Sequence, residues 1–122
     1  MKSAFAKALV LGFSMLASAP SFSAPQWCGG SITAAWVHAN GELYVLPSWR
    51  GDHIRLCSTT TTITAGGQTV EPTVCLGWLS TIRVAMSSNK QTIINYSEAP
   101  VCSAIPIYAS APLPVYVMVL ST

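Results

Sequence analysis

PTVCLGWLSTIRVAMSSN, residues 72–89, is the stretch that decides the fold of this chain. Its apolar residues recur three and four positions apart, which places them on one face of a helix; they are Cys75, Trp78, Leu79, Ile82, Ala85 and Met86. Pro72 suits the first turn, where a missing backbone N–H leaves no partner unsatisfied. No other stretch after residue 23 has this period, so we predict one helix in an otherwise β-rich domain.

Short alternating stretches on both sides of the helix predict strands. Before the helix, strands are expected at residues 31–39, 42–46 and 53–58, with Thr59–Thr64 extending the third. Asn40-Gly41 predicts a tight turn that pairs the first two as a hairpin. Trp27–Gly30 leads into the first strand, and Ala65–Gln68 ends the extension of the third. After the helix, strands are expected at residues 91–96, 105–108 (edge-like, because of Pro106) and 115–120.

Residues 1–23 have the organisation of a secretory signal peptide. Lys2 and Lys7 precede an apolar run, Ala8–Ala17, and small residues follow it. The run is too short to span a bilayer. We therefore expect one domain, residues 24–122, that is secreted or periplasmic and does not insert into a membrane.

Charge in residues 24–122 is low and balanced. The four basic and four acidic residues are Arg50, Arg55, Arg83, Lys90, Glu42, Asp52, Glu71 and Glu98. The formal net charge of +2 for the whole chain therefore comes from the two lysines of the leader. Four scattered basic residues form no patch for nucleic acid or anionic lipid, so neither is expected as a partner.

Four cysteines follow the leader, and an even number in an exported chain predicts two disulfides. A metal site is the rival interpretation, but no CxxC pair occurs and neither histidine has ligand spacing from a cysteine. Three pairings are possible. We favour Cys57–Cys75, which joins a strand to the start of the helix, together with Cys28–Cys102, which ties the N-terminal region to a late segment. No metal and no cofactor is predicted.

The turn Trp49-Arg50-Gly51-Asp52 is the candidate ligand-binding site, with Trp49, Arg50 and Asp52 as its residues. It concentrates an aromatic face, a guanidinium and a carboxylate, which are groups that stack on a sugar and hydrogen-bond to it. In the competing structural interpretation, Trp49 packs on the domain and Arg50 pairs with Asp52.

The other rings are predicted to be structural. Trp36 and Trp78 are expected in the core, and Trp27 is expected to pack over the disulfide of the neighbouring Cys28. His38 lies on an apolar face, where a histidine is commonly a structural residue.

No catalytic constellation is evident in the sequence. There is no GxSxG motif, and His53 in a strand would point away from its neighbour Asp52. The glutamates lie on different elements, so nothing brings two carboxylates together. We therefore predict a protein without enzyme activity.

The order of strands, one helix and more strands is that of a small five-stranded OB-type barrel, whose helix plugs one end. Two segments, IRLCSTTTTI at 54–63 and TVCLGWLSTIRVAMSSNKQTIINY at 73–96, resemble the B subunits of pentameric bacterial A-B toxins, in the subtilase cytotoxin and typhoid and pertussis-like branch. The likeness rests on a strand cysteine, a helix-start cysteine and a helix that hands over to an extended run. SWRGDHIRLC and PVYVMVL also look like small secreted proteins of proteobacteria.

The resemblance implies an OB-like β-barrel with a central helix between its third and fourth strands. It also implies a secreted glycan-binding subunit, with a glycan receptor, further copies of itself and a toxin A subunit as partners. The alternative is a periplasmic or secreted structural or inhibitor-type protein that binds another protein through an exposed strand edge.

Overall fold

The computed structural model describes residues 23–121, which form a mainly β domain with one helix. The strands are β1 (Ala24–Gly30), β2 (Ile32–Val37), β3 (Glu42–Pro47), β4 (Ile54–Ser58), β5 (Ile63–Ala65), β6 (Gln68–Val70), β7 (Thr92–Ala99) and β8 (Tyr116–Val119). The helix, α1 (Pro72–Ser87), lies between β6 and β7, and a short 3₁₀ helix spans Cys102–Ala104. The predicted signal peptide lies outside the described residues except for Ser23.

The strands pair as two three-stranded sheets and one hairpin. The first sheet has the order β1-β7-β8, the second β2-β3-β4, and β5 pairs with β6; all of these pairs are antiparallel. The mainly β class with one helix is thereby confirmed. The closed barrel stays a prediction, because the pairings described for residues 23–121 form separate sheets.

The helix begins at Pro72, as predicted, with Glu71 still extended before it. It ends at Ser87, and Asn89 follows in the left-handed region with φ 54°, so that the Lys90 N–H donates to the Ala85 carbonyl at 2.8 Å. The predicted inner face holds for Cys75, Trp78, Ile82 and Ala85, which are buried, and for Leu79, which is partly buried. Met86 is an exception at 39% exposed.

The predicted hairpin at Asn40-Gly41 is confirmed, and Gly41 has a φ of 94° that favours glycine. The extension of the third strand through Thr59–Thr64 is wrong. Thr59 donates its backbone N–H and its hydroxyl to the Gly41 carbonyl, and the Thr60 hydroxyl donates to the Asn40 carbonyl. The threonines therefore turn the chain back onto the hairpin instead of continuing the strand.

Two strand regions are absent from the sequence prediction. The first is the β5–β6 hairpin, whose two-residue turn, Gly66-Gly67, has the positive φ values of 58° and 79° that such a turn requires. Trp27–Gly30, predicted as a lead-in, belongs to β1 and pairs with β7. Tertiary pairing overrides the low strand propensity of its glycines.

The late segments differ in part from the prediction. Residues 105–108 form no strand; Tyr108 makes an isolated parallel bridge to Ile54. Residues 91–96 are a longer strand, β7, and residues 115–120 shorten to β8, in which Val117 is buried and Met118 exposed.

Both predicted disulfides are present: Cys28 is bonded to Cys102 and Cys57 to Cys75. They border a core that combines the inner faces of both sheets with α1, and its largest fully buried side chains include Leu43, Ile54, Leu56, Ile82, Ile94 and Tyr96. Within residues 23–121 no helix is long and apolar enough to cross a membrane.

Candidate functional site

Four rings gather on the outer side of the sheet β2-β3-β4, away from the core. We call Trp36, Tyr44, His53 and Tyr108 the aromatic cluster. Strand alternation explains the position of Tyr44, because its neighbours Leu43 and Val45 are fully buried on the opposite side. Trp36 lies directly across from Tyr44 in the strand register, so the two rings meet.

The rings of the aromatic cluster are held in fixed positions. Trp36 stacks on Tyr44 with ring centroids 4.4 Å apart and an angle of 8° between the ring planes. The Trp36 indole N–H donates to His53 Nδ1 at 3.1 Å. The Tyr108 ring centroid lies 6.0 Å from that of Tyr44 and 6.1 Å from that of His53.

Tyr108 comes from a distant segment and has an unusual backbone. Its φ of 53° lies in the left-handed region, which a tyrosine rarely occupies. Two hydrogen bonds at the start of β4 hold it there, from the Tyr108 N–H to the His53 carbonyl and from the Arg55 N–H to the Tyr108 carbonyl. Its side chain is 45% exposed, so the ring presents a free surface beside the buried Tyr44.

An ion pair lies at one end of the aromatic cluster. Glu42 accepts a hydrogen bond from the Tyr44 hydroxyl at 2.9 Å through Oε1 and one from Arg55 Nη1 at 3.1 Å through Oε2. Burial raises the pKa of Glu42, but these hydrogen bonds and the charge of Arg55 outweigh it and leave the pKa below its ordinary value. Burial and the bond to Glu42 raise the pKa of Tyr44. Glu42 is therefore a fixed, ionised acceptor.

A small polar cleft of about 240 Å³ continues from Arg55 past the Tyr108 segment. Its walls include the side chains or backbone of Arg55, Gln68, Ser97, Glu98 and the residues from Ala109 to Leu113. The Nε–H of Arg55 is buried and has no hydrogen-bond partner among the described residues. The polar cleft thus places the charged residues Arg55 and Glu98 close to the segment that follows Tyr108.

The turn predicted as the binding site is built into the fold. Trp49 packs against the core, and a Cβ at Gly30 would lie only 3.2 Å from Trp49 Cδ1, so the glycine permits this approach. Arg50 Nε donates to the Ile105 carbonyl at 2.6 Å. Asp52 Oδ1 accepts from the backbone N–H of its neighbour at 2.7 Å. The three side chains are each engaged separately, and Arg50 does not pair with Asp52.

The other predicted ring positions are corrected as follows. Trp36 is half-buried on the outer side of the sheet and not in the core, because the bulge between Ile32 and Ala34 shifts the alternation of β2. Trp27 is 61% exposed and does not cover the disulfide. Trp78 is buried on the inner face of α1, as predicted. His38 is exposed, and its Nδ1 accepts from the Asn40 N–H at 3.3 Å.

An apolar groove lies along the free edge of β2, between that strand and the C-terminal half of α1. Its volume is about 760 Å³. We call it the edge groove, and it is lined by Ala35, Trp36, Val37, Leu79, Arg83, Val84, Met86 and Ser87. No group of three potential metal-ligating side chains occurs in the part of the chain that the structure describes.

The aromatic cluster combines the exposed ring of Tyr108 with fixed charged and polar groups, and we take it as the candidate site. The alternation of residues 42–46 and 53–58 is consistent with one shared face for Glu42, Tyr44, His53 and Arg55, but no sequence signal brings in Tyr108. No family model, no curated protein and no solved structure matches this chain.

Proposed function

We propose that this protein is a secreted, non-enzymatic binding module that binds a carbohydrate on the aromatic cluster. The observation that carries the proposal is the fixed set of rings flanked by the Glu42–Arg55 pair. The apolar face of a sugar ring packs on an aromatic ring, and its hydroxyls bond to charged and polar groups at the rim. Rings that are already ordered lose little conformational entropy when the ligand arrives.

The polar groups favour binding over catalysis. Both Glu42 oxygens accept hydrogen bonds and the carboxylate stays ionised, so it is a poor proton donor. Export is supported by the leader-like residues 1–23 and by two disulfides, which persist in oxidising compartments.

The strand order also supports an OB-like architecture. Only Ser31 separates β1 from β2, so one bent stretch of chain contributes to both sheets. The combined order is then β4-β3-β2/β1-β7-β8, with α1 between β4 and β7 in the chain. If β1 and β2 count as one strand and the β5–β6 hairpin as an insertion, this is five strands with the helix after the third. It agrees with the resemblance to toxin B subunits.

That resemblance extends the proposal to a homo-oligomer that recognises a glycan receptor and accompanies a toxin A subunit. Light scattering on the protein after size-exclusion chromatography tests the oligomer. A ring-sized pentamer supports this part of the proposal, and a monomer contradicts it.

A glycan array tests the proposed site. Tyr108→Asn removes the exposed ring while keeping a residue that tolerates the left-handed backbone. We expect it to abolish the array signal and to leave the thermal midpoint within a few degrees, since the side chain is half exposed. Trp27→Ala, at the other exposed ring, is the matched control and should bind as the parent does.

The turn of Trp49, Arg50 and Asp52 is the second proposed location. Loss of signal in Asp52→Ala but not in Tyr108→Asn would move the site there. A blank array with the folded parent protein would overturn glycan binding and leave the alternative function, binding of another protein through a strand edge. The unguarded edge of β2 is the observation that favours that alternative.

A further inference from the structure

The edge groove has the size and lining of a binding site for apolar side chains. Its volume of about 760 Å³ lies within the range typical of ligand pockets. Three of its side chains remain largely accessible: Val37 is 45% exposed, Val84 51% and Met86 39%. Apolar side chains that line one concavity mark a surface for an apolar partner more strongly than single scattered ones do.

The strand beside the edge groove has a free edge. β2 pairs only with β3 in its sheet, and no further strand is paired with it in residues 23–121. Soluble proteins commonly protect such edges with charges or proline, yet Ile32–Val37 contains neither. The bulge in β2 lies at its other end, so Ala35–Val37 keeps a regular backbone next to the groove.

Backbone and groove together select the form of the ligand. An extended segment added to β2 would hydrogen-bond to the strand, and its alternate side chains would enter the groove. Arg83 is the charged residue in the groove lining, and it is exposed. A carboxylate on the incoming segment would complement it.

We infer that the edge groove binds an extended apolar segment of a partner protein, which adds to β2 as a strand and places a carboxylate against Arg83. The edge groove shares Trp36 with the aromatic cluster, but its other lining residues lie outside the cluster. A module with both surfaces would attach to a glycan while it holds a second polypeptide.

A labelled synthetic hexapeptide of alternating threonine and valine, ending in leucine with a free carboxylate, is a suitable probe. Its binding to the exported protein is measured by fluorescence anisotropy, and the backbone amides of Ala35 and Val37 are followed by NMR. We expect saturable binding that shifts both amides. The same peptide with an amidated C-terminus should bind about tenfold more weakly, because Arg83 loses its partner.

Matched variants on α1 locate the site. Val84→Asp should weaken peptide binding by about tenfold or more, whereas Leu76→Asp, at an equally exposed position outside the groove, should not. Arg83→Glu should remove the preference for the free carboxylate. Tyr108→Asn should bind the peptide as the parent protein does, because Tyr108 does not line the groove. Peptide binding therefore tests the edge groove even if the protein binds no glycan.

Several outcomes would overturn the inference. No binding at about 1 mM peptide would do so, as would equal binding by Val84→Asp and the parent protein. If the parent protein is an oligomer that Val84→Asp converts to a monomer, the groove is occupied by a second copy and the proposed partner is wrong.

Discussion

The two faces of the sheet β2-β3-β4 differ in how they are held together. On the inner face, Leu43, Val45 and Leu56 are fully buried, and Cys57 bonds the sheet to the helix. On the outer face, Tyr44 and Glu42 are held by ring stacking and an ion pair. Alternate residues of the same strands thus contribute either to the core or to a fixed, polar surface. We expect the stability of the fold to depend mainly on the inner face and ligand binding to depend mainly on the outer face.

Trp78 provides the largest expected effect, on the inner side. It is 8% exposed where α1 meets the core, so Trp78→Ala should leave a cavity and lower the free energy of unfolding by about 3–5 kcal/mol. Leu76→Ala truncates an apolar residue of the same helix that is 49% exposed, and it should change stability by only about 0.5 kcal/mol. Urea denaturation measures both. Equal midpoints would contradict the assignment of the helix faces.

Removing the hydroxyl of one tyrosine on each face compares what a single polar group contributes to stability there. Tyr44→Phe removes the hydrogen bond to Glu42 on the outer face and should cost about 1.5 kcal/mol, as expected for a bond to a charged group. Tyr96 is fully buried on the inner side, and its hydroxyl has no partner among the described residues. Tyr96→Phe should therefore leave stability unchanged or raise it, because a buried unpaired hydroxyl is unfavourable.

The same denaturation experiment measures both tyrosine variants. A loss in Tyr96→Phe as large as that in Tyr44→Phe would show that the inner hydroxyl is satisfied after all. The comparison between the two faces would then fail at this point.

Local patterns predicted much of the fold. The helix at Pro72, the turn at Asn40-Gly41 and both disulfides follow from period, turn chemistry and cysteine count. The threonines after β4 were misassigned because their hydroxyls donate to carbonyls of the Asn40-Gly41 turn. These hydrogen bonds join residues that are 18 and 20 positions apart in the sequence. Strand propensity carries no information about such a partner.

The candidate site was only partly readable from the sequence. Alternation places Glu42, Tyr44, His53 and Arg55 on the outer side of their strands, and this could be predicted. Tyr108 reaches them through a bridge from a segment more than 50 positions after β4 begins, with a backbone conformation that tyrosine does not favour. The predicted turn was misleading for a different reason. Trp49 packs against the core and Arg50 donates to the distant Ile105 carbonyl, and the composition of the turn reveals neither contact.

The smallest expected effect is the pH dependence that Glu42 gives to the outer face. Its pKa is below the ordinary value of 4.5 in the folded protein, so the unfolded chain binds more protons near that pH. The stabilisation is therefore fully present above about pH 4.5 and is lost as the pH falls through the lower folded value. Glu42→Gln should remove this part of the acid sensitivity and lower stability at neutral pH, because the ion pair with Arg55 is gone.

Thermal unfolding from about pH 3 to pH 7 provides the measurement. Glu98→Gln is the control, because Glu98 is exposed and lies outside the Glu42–Arg55 pair. Between about pH 3 and about pH 4.5, the thermal midpoint of this variant should change with pH as steeply as that of the parent protein. If Glu42→Gln retains that slope as well, the carboxylate does not anchor the aromatic cluster. The rings would then be held by the Trp36–Tyr44 stack and the Trp36–His53 hydrogen bond alone.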